Sequence, residues 1–312
     1  MPLTHFICPD GSTIPVAECL ADGGCPHYAE LGNRRCMTRD LLRLCSHQRT
    51  WTGIPSTTQL ISGTMCEFLK LTENYAVNPR KRWKMVFGSK IHSSLEGQRD
   101  DLTFAEERVI SSLGVSGILD CIECETIKGV AHVTLIDYKT QSAYAAALKI
   151  GRTFRKVETG EFYKSGKHKG EAKTHKEYYI DENAGYIERA DWRMQLNGYR
   201  LAIEENGGFV VDAMRVQLLV RDTPKAIATY GLPDSILWVD IQRIPDEEIR
   251  EYFSAKKADL AQALEQGHWE TPCTEYERWN NNRKCEEYCD VASFCPFGRQ
   301  VRENMEYERT EA

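Results

Sequence analysis

The feature that most constrains this chain is the stretch at residues 117–139, GILDCIECETIKGVAHVTLIDYK. It consists of two apolar runs with a short polar turn, Lys128-Gly129, between them. The first run delivers Asp120; the second delivers Asp137 and, two positions later, Lys139. Side chains alternate faces along a strand, so Asp137 and Lys139 share one face and Tyr138 takes the other. Pairing of the two runs as a hairpin brings Asp120 near Asp137. Two carboxylates and an ammonium on one patch suit divalent-metal phosphodiester chemistry. Cys121 and Cys124, a C-x2-C inside the stretch, read as strand residues, because such neighbours do not converge on a strand as they do in a zinc knuckle.

The 312 residues are enough for one large domain or two smaller ones. With 41% hydrophobic and 28% charged residues, the composition is that of a globular protein. No unbroken apolar run reaches membrane-span length, and MPLTHFICPDG lacks the features of a signal peptide, so an intracellular, cytoplasmic protein with no membrane partner is expected. The net charge of −6 argues mildly against a nucleic-acid partner, but net charge averages over local basic patches.

Twelve cysteines are many for such a chain, and in the cytosol they point to metal ligands rather than disulfides. Residues 1–50 hold Cys8, Cys19, Cys25, Cys36 and Cys45, with spacings of x10, x5 and x10 among the first four. Pro9-Asp10-Gly11 and Gly23-Gly24 supply turns, and large apolar residues are few. A zinc-binding element using Cys8, Cys19, Cys25 and Cys36 is expected. At the other end, Cys273, Cys285, Cys289 and Cys295 are spaced x11, x3 and x5, with Pro296 after the last, a pattern of cluster ligands. The tail at residues 301–312 is charged and is expected to fray.

Between these ends the pattern is mixed α/β. A helix capped by Ser56 or Thr57 is expected to run on to about Thr72 and to carry Cys66. A polar connector at residues 73–83, with the basic knot Arg80-Lys81-Arg82, leads to a helix bearing His92 and Glu96 at i, i+4. Residues 104–113 read as a first strand. Residues 151–180 form a basic insertion in which Arg152, Arg155, Lys156, Lys164, Lys167 and Lys169 alternate with aromatic residues, a hairpin or flap suited to a phosphate backbone. Residues 186–206 read as one helix placing Gln195 and Tyr199 on one face, ended by Gly207-Gly208. Two strands follow, then a helix capped by Asp246 and stopped by Gly267.

His92 with Glu96, Gly117-x-x-Asp120, Asp137-x-Lys139 and Gln195-x-x-x-Tyr199, in that order, resemble the motifs of RecB-type PD-(D/E)xK nucleases. The C-terminal cysteines are similar to those of the iron–sulfur branch, which includes the AddB nuclease domain and CRISPR-associated adaptation exonucleases. The resemblance implies a restriction-endonuclease-like mixed sheet flanked by helices over residues 51–270, between the cysteine-rich element and a cluster-binding segment at residues 271–300. It implies that His92, Asp120, Asp137 and the backbone carbonyl of Tyr138 hold Mg²⁺ or Mn²⁺. Lys139 would position the attacking water, Gln195 and Tyr199 would orient the site and touch the DNA strand, and Glu96 would support them. A [4Fe–4S] cluster would use Cys273, Cys285, Cys289 and Cys295, with Cys66 as the alternative to Cys273. The implied activity is that of a metal-dependent DNA exonuclease acting on single strands or ends in recombination, repair or replication, with a helicase or recombination partner. The alternative is a non-catalytic DNA-end-binding scaffold, and a weaker one is a redox-responsive regulator.

Overall fold

The computed structural model describes residues 3–96, 103–104, 108–165, 169–207, 210–279 and 281–311. The chain is mixed α/β and divides into two compact units. One comprises Asp120–Leu196 and Val211–Arg243; the other comprises Met1–Leu119, Asn197–Val210 and Ile244–Ala312.

In the first of these units the strands lie in the order Ile236–Asp240, Ala213–Val220, Val130–Gln141 and Cys121–Ile127. Cys121–Ile127 and Val130–Gln141 form the expected antiparallel hairpin, with Cys121 opposite Ile136. Lys128 and Gly129, both at positive φ, make its turn. Ala213–Val220 runs parallel to Val130–Gln141 and pairs Val216 with Asp137 and Leu218 with Lys139. Val130–Gln141 is therefore an inner strand, and both Leu135 and Ile136, on opposite faces, are buried. Ala213–Val220 buries every second residue: Met214, Val216, Leu218 and Val220. Helix Ala143–Lys149 starts where Ser142 caps the Ala145 amide and Asp222 accepts the Ala143 N–H at 2.7 Å. The basic insertion is a two-stranded antiparallel ribbon, Arg152–Phe162 with Ala172–Ile180, forming its own sheet.

In the other unit, Leu3–Ile7 lies between Thr13–Pro15 (antiparallel) and Tyr75–Val77 (parallel). The core is built from Phe6, Leu42, Leu60, Phe68, Ile249, Phe253 and Leu260. The N-terminal element thus shares a core with the helices that follow it, which its sparse apolar content did not suggest.

Several element boundaries differ from the sequence reading. The helix expected to run unbroken from Ser56 is two, Thr57–Ile61 and Thr64–Thr72, separated by Gly63 at φ 103°. Ser56 does cap the first through a reciprocal capping box with Gln59. The polar connector contains strand Tyr75–Val77, and the basic knot lies inside helix Pro79–Glu96. Of the expected first strand, Phe104 lies in the short strand Thr103–Phe104, residues 105–107 lie outside the described residues, and Arg108–Ile110 pairs with Ser116–Ile118 in a separate sheet. The single helix expected at residues 186–206 is two, Glu182–Glu188 and Ala190–Gly207. Helix Asp246–Gln266 ends on Gly267 in the left-handed conformation, as expected. Its N-cap, however, is Pro245, with no side-chain cap, and the Asp246 carboxylate pairs instead with buried Arg200 at 2.7 Å. The tail expected to fray is helix Pro296–Glu311.

Candidate active site and cysteine centres

Asp137 is buried at the middle of the sheet, 2% exposed. Gln195 Nε2 donates to its Oδ1 at 3.1 Å, and the Lys139 ammonium is 2.7 Å from its Oδ2. The i, i+2 spacing of Asp137 and Lys139 thus yields a direct ion pair on one strand face. Asp120 immediately precedes strand Cys121–Ile127, so the hairpin register sets it beside Tyr138, whose N–H donates to Asp120 Oδ2 at 2.9 Å. Gln195 comes from the first turns of helix Ala190–Gly207, which are anchored by buried Trp192 and Leu196. Burial, then the neighbouring Cys121, Glu123 and Asp120, push the Tyr138 phenol upward, so its side chain stays neutral.

Asp120, Asp137, Lys139 and Gln195 therefore gather in one unit. Tyr199 belongs to the other, where it is buried against Gly117. A Cβ at Gly117 would lie 2.5 Å from the Tyr199 ring, which is why this position of the motif is glycine. His92 and Glu96 fall in helix Pro79–Glu96, and their side chains lie outside the described residues.

Five cysteines line one apolar pocket: Cys66, Cys273, Cys285, Cys289 and Cys295, together with Met65, Leu69 and Phe297. Helix Thr64–Thr72 brings in Cys66. Its start at Gly63 is fixed by Cys273, whose sulfur would be 2.6 Å from any Cβ there. The x3 spacing of Cys285 and Cys289 spans a π-helical turn, Lys284–Tyr288, closed by the Cys289 N–H donating to the Lys284 carbonyl at 2.7 Å. Arg302, from the C-terminal helix, donates to the carbonyls of Cys285 (3.1 Å) and Cys289 (2.9 Å).

The Cys66 and Cys289 sulfurs are 3.9 Å apart. The contact with Cys289 draws the Cys66 thiol downward, overcoming its burial, with help from Lys70 and Lys284. The same contact, with burial, moves the Cys289 thiol upward. Burial pushes Cys273 up to about 12. These thiols ring a cavity instead of converging on a point. A cluster's thiolates sit on separate irons joined by sulfide, so Cys66 and Cys289, 3.9 Å apart, would have to separate for both to be ligands.

In the N-terminal element, Cys25 and Cys36 act electrostatically on both Cys8 and Cys19, and burial raises the thiols of Cys8 and Cys19. The expected zinc cysteines are thus neighbours, but the tightest set differs from the expected one. Cys8, Asp10 and His27 present ligand atoms within 4.8 Å of one another, the one such group among the described residues. Glu30 Oε2 holds the other ring nitrogen of His27, Nδ1, at 2.9 Å. A carboxylate on the second nitrogen is the usual orientation device for a ligating histidine. The sequence carried a signal for these residues: Asp10 follows Cys8 in the turn, and His27 follows Cys25 by two positions. Cys45 stands apart, buried and directed at the Pro79 carbonyl.

The expected DNA-contacting cations have different environments. Arg155 is paired with Glu177 across the ribbon at 2.7 Å. The Arg152 guanidinium lies over the Tyr178 ring. Lys156, Lys164 and Lys169 are exposed, and Lys167 lies outside the described residues. No protein-family model matches the chain, and no curated protein matches it. No helix among the described residues is long and apolar enough to cross a membrane.

Proposed function

We propose that this chain is a divalent-cation-dependent deoxyribonuclease with a restriction-endonuclease-like core. The observation that carries the reading is the set around Asp137: a buried carboxylate between the Lys139 ammonium and the Gln195 amide, with Asp120 fixed beside it by the Tyr138 amide. Two carboxylates and a nearby backbone carbonyl are hard oxygen donors and fit Mg²⁺ or Mn²⁺ better than a thiophilic ion. Asp120, Asp137 and the Tyr138 carbonyl would hold the ion. When bound, the ion polarises a phosphoryl oxygen and acidifies water. Lys139 sets positive charge where a phosphate's negative charge must be offset, and Gln195 holds Asp137 in orientation.

The five-cysteine pocket supports a [4Fe–4S] cluster on Cys285, Cys289 and Cys295, with either Cys273 or Cys66 as the fourth ligand. Iron content of anaerobically purified Cys66→Ala and Cys273→Ala decides between them. The N-terminal element supports a zinc site around Cys8, with His27 joining the cysteines as a candidate ligand.

The test of the nuclease reading is degradation of labelled DNA with Mg²⁺ or Mn²⁺ by wild type, Asp120→Ala and Asp137→Ala. Loss of degradation in both variants supports it. Equal activity in all three removes these residues from the chemistry, and tight DNA binding without cleavage by wild type makes the chain a scaffold instead.

A further inference from the structure

The two faces of the ribbon Arg152–Phe162 with Ala172–Ile180 differ in charge. On one face Arg155 stands opposite Glu177 in an ion pair, and Lys173 pairs with Glu161 at 2.9 Å. Positive and negative charges there cancel within the ribbon. On the other face Lys156 stands directly opposite Lys176. Like charges directly opposite destabilise a strand pair. Neither lysine takes part in an ion pair among the described residues. Arg152 shares this face, against a single acid, Glu158, opposite Thr174.

The same face is aromatic. Phe154, opposite Tyr178, is 42% exposed and meets that ring edge-on at 6.0 Å, and the Lys176 ammonium lies 4.3 Å from the Phe154 ring centre. Tyr178 is fixed to the body of the unit. Its hydroxyl donates to the Thr229 carbonyl, and its ring lies so close to Gly231 that a Cβ there would be 2.4 Å away. Next to Gly231, Tyr230 meets Tyr144 edge-on at 5.6 Å, and both rings are partly exposed. Tyr144 opens the helix that follows the strand carrying Asp137 and Lys139. A row of rings thus runs from the ribbon to the end of that strand.

We propose that the Phe154/Lys156/Lys176 face, continued by Tyr230 and Tyr144, is a docking track for single-stranded nucleic acid. The inference rests on the nuclease reading for the class of ligand. A single strand matches both halves of the surface: its phosphates relieve the repulsion between Lys156 and Lys176, and its unpaired bases offer flat faces to the rings. A duplex keeps its bases stacked and has no face to offer Phe154. The assignment moves the contact away from Arg155, which its pairing with Glu177 neutralises on the opposite face.

The test is fluorescence anisotropy of the full chain with a labelled oligothymidylate of about twenty nucleotides, in EDTA so that nothing is cut. Lys156→Ala/Lys176→Ala is expected to bind about tenfold more weakly near physiological salt. The dependence of log affinity on log salt should flatten by about 1.4, two single-strand phosphate contacts. Phe154→Ala is expected to lose about tenfold with an unchanged salt slope. Arg155→Ala/Glu177→Ala should stay within about twofold of wild type, and Lys156→Arg/Lys176→Arg should retain binding. Wild-type affinity in Lys156→Ala/Lys176→Ala, an equal loss from the opposite face, or equal binding of duplex overturns the proposal. A chain that binds through this face but cuts nothing with Mn²⁺ contradicts the nuclease reading and leaves the docking face standing. A chain that cuts, and binds equally well without Lys156 and Lys176, contradicts the docking face alone.

Discussion

At the scale of single residues, the decisive contacts are those of Asp137. Removing its ammonium partner leaves a buried carboxylate with less compensation, so Lys139→Ala is expected to cost about 3 kcal/mol of stability, read as a lower urea midpoint. An unchanged midpoint would mean that Lys139 is structurally idle. A second residue sets a pH dependence. Burial alone would raise the Glu205 carboxyl, but the Ser112 N–H (2.7 Å), the Ser112 hydroxyl and Arg250 outweigh burial and hold it below its usual value. A carboxyl lowered on folding stabilises fully above its unfolded pKa, and the gain disappears as pH falls through the folded one. Glu205→Gln is therefore expected to flatten the loss of stability between about pH 5 and 3, measured by urea denaturation at each pH. The Asp137–Lys139 pair and the approach of Asp120 were legible in the sequence because a two-residue period and one tight turn determine them. For His27 the sequence carried only its two-residue spacing from Cys25; its proximity to Cys8 and Asp10 depends on how residues 8–36 fold back, which no periodicity encodes.

At the scale of elements, the hairpin of Cys121–Ile127 with Val130–Gln141 was easier to read than the short strand Tyr75–Val77 or the helix boundaries. Cys121–Ile127 and Val130–Gln141 announce themselves as apolar runs on either side of the Lys128-Gly129 turn. The break at Gly63 did not, since Leu60, Ile61, Thr64 and Phe68 keep helical spacing through it. Its cause is tertiary: Cys273, more than two hundred positions away, occupies the space a Cβ would need. Gly63→Ala is expected to destabilise by about 1–3 kcal/mol, through both its positive φ and this contact, and to lower the iron held after anaerobic purification. Full iron loading and a wild-type urea midpoint would refute that account. The C-terminal helix was also misjudged from its charge. Arg302 ties it to the π-turn between Cys285 and Cys289, so, on the proposed cluster reading, Arg302→Ala is expected to accelerate loss of a cluster's absorbance in air.

At the scale of the whole molecule, the candidate residues divide between the two compact units. Asp120, Asp137, Lys139, Gln195 and the basic ribbon lie in one; all the cysteines of the two candidate metal centres lie in the other. That division was hidden in the sequence because the chain passes between the units several times, and helix Ala190–Gly207 contributes to both. The central claim is metal-dependent phosphodiester cleavage at Asp137. The most direct measurement is single-turnover cleavage of an end-labelled DNA strand by excess enzyme, with EDTA or with added Mn²⁺, for wild type and Asp137→Asn. The account expects cleavage by wild type with Mn²⁺ only, and a rate lower by about a thousandfold or more in Asp137→Asn. Cleavage by wild type that persists in EDTA, or an equal rate in Asp137→Asn, would contradict it.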